Sequence, residues 1–292
     1  MYKFEGTKVA VLGGDKRELE IARNFLELGA AVATYGVVEH PDYVELMTSS
    51  LLEAVRDADI VIAPVPGIAA GDVLYAPAAP EELVMTEEAM AAIKPQGCFF
   101  SGTATPTIRE KGKSRDIRFF DLKDDDYLQV MHAIPTAEGA ISVTVQETDH
   151  TIHGSTALVV GYGRIATLLA KNLRGMGAKV TVAARRPEVK VRAYADGHDV
   201  CGTSKEELKQ AAAQAVLLYN TVPSMMLDSD VLDSVRKDAL VMDLASPPGG
   251  IDHDAGKAQG LHVVWARGQA GKAPIHSGYA QFLSIRNLLD QL

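Results

Sequence analysis

The stretch Thr156-Ala-Leu-Val-Val160 runs directly into Gly161-Tyr-Gly163-Arg-Ile-Ala166, and few short segments restrict a fold so tightly. A short apolar run of this kind suits a strand buried on both faces of a parallel sheet. Glycines at the first and third positions permit a tight turn and close approach of the backbone to a pyrophosphate, and a small sixth residue lets the next helix press on the strand. That helix is predicted from Ile165, Leu168, Leu169, Leu173 and Met176, which share one face, with Gly177 as its cap. A second apolar run, Lys179 to Ala184, ends in Arg185-Arg186. An acidic residue there meets a ribose 2′-hydroxyl, whereas arginine suits a 2′-phosphate. The segment is therefore expected to bind NADP(H) in preference to NAD(H), through Gly161, Gly163, Arg164, Ile165, Ala166, Arg185 and Arg186.

The 292 residues suffice for about two domains. At 47% hydrophobic and 23% charged, the composition is that of a water-soluble globular protein. No apolar run is long enough to span a bilayer, and Met1-Tyr-Lys-Phe-Glu5 has no signal-peptide core. A formal charge of −9 argues against nucleic acid or an anionic membrane as partner. Cys98 and Cys201 are far apart and in no C-x-x-C pair, which points to the reducing cytoplasm. The eight histidines show no metal-ligand spacing, so no metal is expected.

The first half opens much as the second does. Strands are predicted at Lys8 to Leu12, Ala30 to Tyr35, Asp59 to Ala63, Gly97 to Phe100 and Ile117 to Asp121, with helices at Arg17 to Leu28 and near Thr86 to Ile93. This alternation implies a parallel α/β sheet. Gly13-Gly14-Asp15-Lys-Arg17 lacks the third small residue and sets charges where phosphates would lie, so this half is read as a related fold without the cofactor. Asp124-Asp125-Asp126 reads as a solvated turn. Pro135 is expected to end an extended segment and Thr136 to cap a helix reaching about Thr148. The helix Gly278 to Leu292 is expected to return onto the first domain.

The predicted architecture is thus α/β, with two Rossmann-like doubly wound parallel-sheet domains joined by a linker helix and a returning C-terminal helix. Its parts are residues 1–134 with 276–292, a linker at 135–150, and an NADP-binding domain at 151–275.

Ligands in such folds lie beyond the carboxyl ends of the strands. On the nucleotide side this selects Asn220, Thr221, Val222 and Pro223, and in the following loop Ala245 and Ser246. In the first half it selects Gly14, Asp15, Arg17 and Ser101, where the positive end of a helix would take a substrate carboxylate. Thr136 joins them from the linker, in a cleft expected between the domains. Glu138 and Asp243 are the candidate proton acceptors, and sequence does not choose between them.

Val9-Ala-Val-Leu-Gly-Gly-Asp15, Ile134-Pro-Thr-Ala-Glu-Gly139, Thr148-Asp-His-Thr-Ile-His-Gly-Ser155, Asn220-Thr-Val-Pro-Ser224 and Asp243-Leu-Ala-Ser-Pro-Pro-Gly-Gly250 closely resemble the family of dipicolinate synthase A subunits, in order and over nearly the whole chain. The resemblance implies an NADP-dependent oxidoreductase in the mother cell of a sporulating bacterium. Its implied reaction oxidises a dihydrodipicolinate to dipicolinate beside a flavoprotein-like B subunit. The segment Gly268 to Ser277 departs from the family pattern. Two other readings stay open: an NADP-dependent 2-hydroxy or 2-amino acid dehydrogenase, and a non-catalytic NADP-binding subunit. A homo-oligomer is compatible with each.

Overall fold

In the computed structural model, which describes residues 2–292, the chain forms two compact units. One is the segment up to His132 together with Ala273–Leu292, and the other is Ala133–Lys272.

The first unit runs β1 (Lys8–Leu12), α1 (Lys16–Glu27), β2 (Ala31–Tyr35), α2 (Leu51–Val55), β3 (Ile60–Ile62), a small hairpin of β4 (Ile68–Ala69) and β5 (Val73–Leu74), α3 (Glu87–Ala92), β6 (Cys98–Ser101), α4 (Pro106–Gly112) and β7 (Arg118–Asp121). Its main sheet has the order β2-β1-β3-β6-β7 and is parallel throughout. Because side chains alternate across a strand, Val9, Val11, Ile60, Ile62 and Phe100 enter one apolar layer, and Ala10, Leu12, Val61 and Phe99 the other. Each large apolar side chain fully buried in these layers contributes roughly 1.5–3 kcal/mol. The order reverses between β1 and β3, so ligand-facing loops are expected at the carboxyl ends of those strands.

α5 (Asp126–Glu147) follows, and here the structure corrects the sequence reading. The helix begins ten residues before the expected cap at Thr136, with Pro135 inside it. Asp125 starts it: its carboxylate accepts from the Tyr127 and Leu128 N–H groups, each at 3.3 Å, and from Ser284 Oγ. The acidic triplet is thus a helix start rather than a free surface turn. Pro135 has no N–H to give the Met131 carbonyl four residues back, and that carbonyl instead contacts His276 Nε2 at 3.2 Å.

The second unit continues with β8 (Thr156–Val160), α6 (Arg164–Gly175), β9 (Lys179–Ala183), α7 (Pro187–Ala195), β10 (Asp199–Cys201), α8 (Lys205–Gln214), β11 (Leu217–Asn220), α9 (Ser229–Leu232), β12 (Leu240–Asp243), α10 (His253–Ala258) and β13 (His262–Trp265). Its parallel sheet has the order β10-β9-β8-β11-β12-β13, the arrangement that accepts dinucleotides where the order reverses, between β8 and β11. α11 (Pro274–Leu289) belongs to the first unit and packs on α1, with the Phe25 and Phe282 rings 5.1 Å apart and nearly perpendicular. It starts at Pro274, four residues before the expected Gly278. Among the described residues no helix is long and apolar enough to cross a membrane.

Candidate functional site

Each unit places a glycine-containing turn between its first strand and the next helix, and the two turns differ in what fills them. In the first unit the donors of the turn are spent within the chain. Gly13 N–H goes to Tyr35 O at 2.8 Å and Gly14 N–H to Tyr75 O at 2.6 Å. Asp15 N–H goes to Glu18 Oε2 at 2.7 Å, while the Asp15 carboxylate accepts from the Arg17 N–H at 3.0 Å, forming a capping box. The Arg17 guanidinium then grips the same carboxylate with Nε and Nη2, both at 2.9 Å. Burial opposes the charge on Asp15, but the Arg17 hydrogen bonds outweigh it and hold that carboxyl low. Glu18 is fully buried and is pushed up to about 7 by the loss of water around it. Its Oε1 finds no partner.

Gly14, Asp15 and Arg17, where a substrate carboxylate is expected from the sequence, thus all have partners within the chain. Two carboxylates of the chain already occupy the positive end of α1, and Arg17 is neutralised by one of them. Ser101, at the carboxyl end of β6, is buried, and its Oγ has no partner.

The second unit leaves its turn open. Gly163 is the N-cap of α6, and no side chain caps it. Gly161 sits at a φ of +97°, and a Cβ there would lie 2.5 Å from Thr221 Oγ1, so the chain itself demands glycine. Gly163 is the opposite case: a Cβ would meet nothing within 4 Å. Packing does not explain its missing side chain, whereas close approach of a pyrophosphate to the backbone does. Ile165 and Ala166 turn inward and hold α6 on the sheet. Arg164 is exposed at the start of the helix.

A cavity of about 450 Å³ opens beside this turn. It is bounded by Gly161 and Gly163, by Arg185 and Arg186 beyond β9, and by Val222 and Ser224 beyond β11. Val189, Thr203 and Met226 also line it. Sequence reasoning missed these three; only the step from β10 into Gly202-Thr203 signalled a further loop at this end of the sheet. Both arginines are exposed. Arg186 Nε lies 3.3 Å from Glu188 Oε1, and Arg185 makes no ion pair among the described residues. The size, the uncapped helix and the cationic rim fit the adenosine and phosphate portions of a nicotinamide dinucleotide.

The loops after β11 and β12 are tied at one point. Asp243 is fully buried and accepts from Asn220 Nδ2 at 2.9 Å, Ala245 N–H at 3.0 Å and Gly250 N–H at 2.8 Å. His253 Nε2 stands 3.4 Å away and stacks on Trp265, whose Nε1 donates to Ala245 O at 3.0 Å. Asn220 also donates to Val222 O and accepts from Val222 N–H. Thr221 Oγ1 donates to Val160 O at 2.9 Å. Asn220, Thr221 and Ala245 thus shape the loops through their own hydrogen bonds, while Pro223 and Ser246 are exposed. Asp243, one of the two candidate proton acceptors, has its oxygens committed to the brace. Glu138 lies exposed in the middle of α5, away from any helix end, and Thr136 is half-buried on the same helix. Among the described residues no three His, Cys, Asp or Glu side chains cluster as a metal site.

Comparison with known proteins agrees with this geometry. Residues 8–123 match the family described as the N-terminal domain of the dipicolinate synthase A subunit. Residues 136–285 match the NAD binding domain of S-adenosyl-L-homocysteine hydrolase. The chain is 31% identical to the dipicolinate synthase A subunit of Bacillus subtilis (strain 168), over 98% of this chain and 96% of that one. The crystal structure of the corresponding A subunit from Bacillus halodurans superimposes with a TM-score of 0.88 at 26% identity, covering 99% of both chains. An L-alanine dehydrogenase shares the fold, with a TM-score of 0.64 at 13% identity over 97% of this chain and 89% of that one.

Proposed function

Since the chain belongs to the family of dipicolinate synthase A subunits, we propose that it oxidises a dihydrodipicolinate to pyridine-2,6-dicarboxylate with NADP⁺ as acceptor. The family and the dehydrogenase-like nucleotide-binding domain make it an oxidoreductase-type subunit with a nicotinamide cofactor. The proposal adds the substrate, derived from the hydroxytetrahydrodipicolinate of the lysine pathway, and the choice of NADP. It also adds a partner, the flavoprotein-like B subunit, and the mother cell of a sporulating bacterium as the setting.

One observation carries the cofactor reading: the uncapped N-terminus of α6 opens on a cavity whose far rim bears Arg185 and Arg186. A helix N-terminus favours the pyrophosphate, and guanidiniums favour a 2′-phosphate. When bound, the nicotinamide accepts a hydride at C4. The ring being aromatised loses that hydride and one proton, so the protein must orient the ring and receive the proton. With Asp243 committed to its brace, Glu138 is the proposed acceptor. Thr136 and Ser246, both in the second unit, are the proposed polar contacts of the substrate. Asn220 and Asp243 act by fixing the two loops at the carboxyl ends of β11 and β12.

The test is direct. Purified chain, NADP⁺ and the lysine-pathway precursor are combined with and without the B subunit, and the ultraviolet band of pyridine-2,6-dicarboxylate is followed together with NADPH. Product formed by this chain with stoichiometric NADPH supports the proposal. Turnover of simple 2-hydroxy or 2-amino acids instead would reject the substrate. Nucleotide binding without product under either condition would leave a non-catalytic subunit.

A further inference from the structure

Tyr162, the middle residue of the glycine turn, is held from outside by α7. Arg192 Nη2 donates to the Tyr162 carbonyl at 2.7 Å, and its guanidinium lies 5.3 Å from the centre of the Tyr162 ring. The Tyr162 hydroxyl donates at 2.6 Å to Oδ2 of Asp196, the C-cap of the same helix, one turn beyond Arg192. Burial and the neighbouring carboxylate both raise the Tyr162 phenol, so it remains the donor in this pair. His198 closes the packing edge-on, with ring centres 5.9 Å apart. Tyr162 is thereby buried, and it lines the cavity together with both neighbouring glycines.

In a trans peptide the carbonyl and the following N–H point in opposite directions. Fixing the Tyr162 carbonyl toward α7 therefore turns the Gly163 N–H away from α7. That N–H donates to no backbone carbonyl among the described residues. The freedom of φ at Gly163 would otherwise make this peptide plane easier to rotate.

We infer that Arg192 is a positioning residue for the nucleotide pyrophosphate. It never touches the ligand; it sets the Tyr162–Gly163 peptide so that the Gly163 N–H is presented to the phosphates. Asp196 holds the same tyrosine and balances the charge of Arg192. The inference rests on the nucleotide reading above and deepens it. α7 becomes a shared strut, with Arg186 just before its first residue at the cavity rim and Arg192 bracing the phosphate turn.

The experiment titrates wild type, Arg192→Met and Arg192→Lys with NADPH, NADH and adenosine 2′-monophosphate, beside thermal melting. Losing a hydrogen bond made by a charged group predicts about a tenfold weakening of both dinucleotides by Arg192→Met. Adenosine 2′-monophosphate has no pyrophosphate and is expected to bind unchanged. Arg192→Lys keeps a donor and should recover part of the affinity, which also keeps the test open if the methionine variant folds poorly. Undiminished binding of the dinucleotides by both variants overturns the inference. Equal weakening of the monophosphate overturns it too, because that marks general disruption of the pocket. A wild type that binds neither dinucleotide sinks the nucleotide reading itself.

Discussion

Arg185→Ala separates the 2′-phosphate from the rest of the nucleotide. The Arg185 guanidinium is exposed at the cavity rim, and no carboxylate of the chain competes for it among the described residues. A hydrogen bond to a charged group contributes about 1.5–3 kcal/mol, and solvent screening at an exposed rim puts the effect in the lower part of that range. NADPH should therefore bind roughly 10- to 30-fold more weakly to the variant, while NADH, which lacks the 2′-phosphate, should change by no more than about twofold. Arg186 differs, because Glu188 at 3.3 Å already shares its charge. Arg186→Ala should cost NADPH less, roughly three- to fivefold, and Glu188→Gln should tighten NADPH by about twofold. Fluorescence titration with both dinucleotides at low and high salt measures all of this, and the Arg185 effect should shrink as salt rises. Equal losses for NADPH and NADH, or no loss for either, would refute the assignment of the 2′-phosphate to this rim.

Gly163→Ala should leave the melting temperature nearly unchanged, since its Cβ meets no atom of the chain, yet weaken NADPH and NADH alike. Asp243→Ala strands the donors of Asn220, Ala245 and Gly250 in a buried site and should cost about 3–5 kcal/mol in chemical denaturation. Glu138→Gln should lower kcat about 10- to 100-fold with little change in NADPH affinity, and an unchanged kcat would remove it as proton acceptor. Glu18 and His132 make opposite contributions to the pH dependence of stability. Burial raises Glu18 from 4.5 to about 7, so its share of stability is full below pH 4.5 and is lost as pH rises toward 7, about 3 kcal/mol in all. Burial lowers His132 from 6.5 to about 4, so its share is full above pH 6.5 and is lost as pH falls toward 4. Relative to wild type, Glu18→Gln should therefore lose stability on acidification from pH 6.5 to 4.5, and His132→Asn on raising the pH across the same interval. Denaturant midpoints whose differences from wild type slope the other way would refute both.

The elements with strong periodicity are the legible ones. β1 and β8 lie where the apolar runs place them, and α6 follows its glycines with its apolar stripe inward. α5 is harder to read, because a proline normally marks a helix end, and here the carbonyl it leaves unpaired finds a partner 145 residues away, His276. The filled turn of the first unit is legible in principle, since Asp15 and Glu18 have the spacing of a capping box. A carboxylate three residues into a helix folds back on its start, so neither charge is free for a ligand. Asp243 carries no such signal. An aspartate ending a buried strand reads alike whether it faces a ligand or three donors of its own chain, and only the packing of β11 against β12 decides.

The knot at Asp243 has a bearing on how this protein can change. Two backbone segments from different strands hang on one carboxylate, so a substitution in either will be felt in the other. Their effects on affinity or turnover should be non-additive, as expected for residues sharing one network. Laboratory selection for a new substrate should accordingly recover paired replacements in 220–224 and 244–250 more readily than single ones.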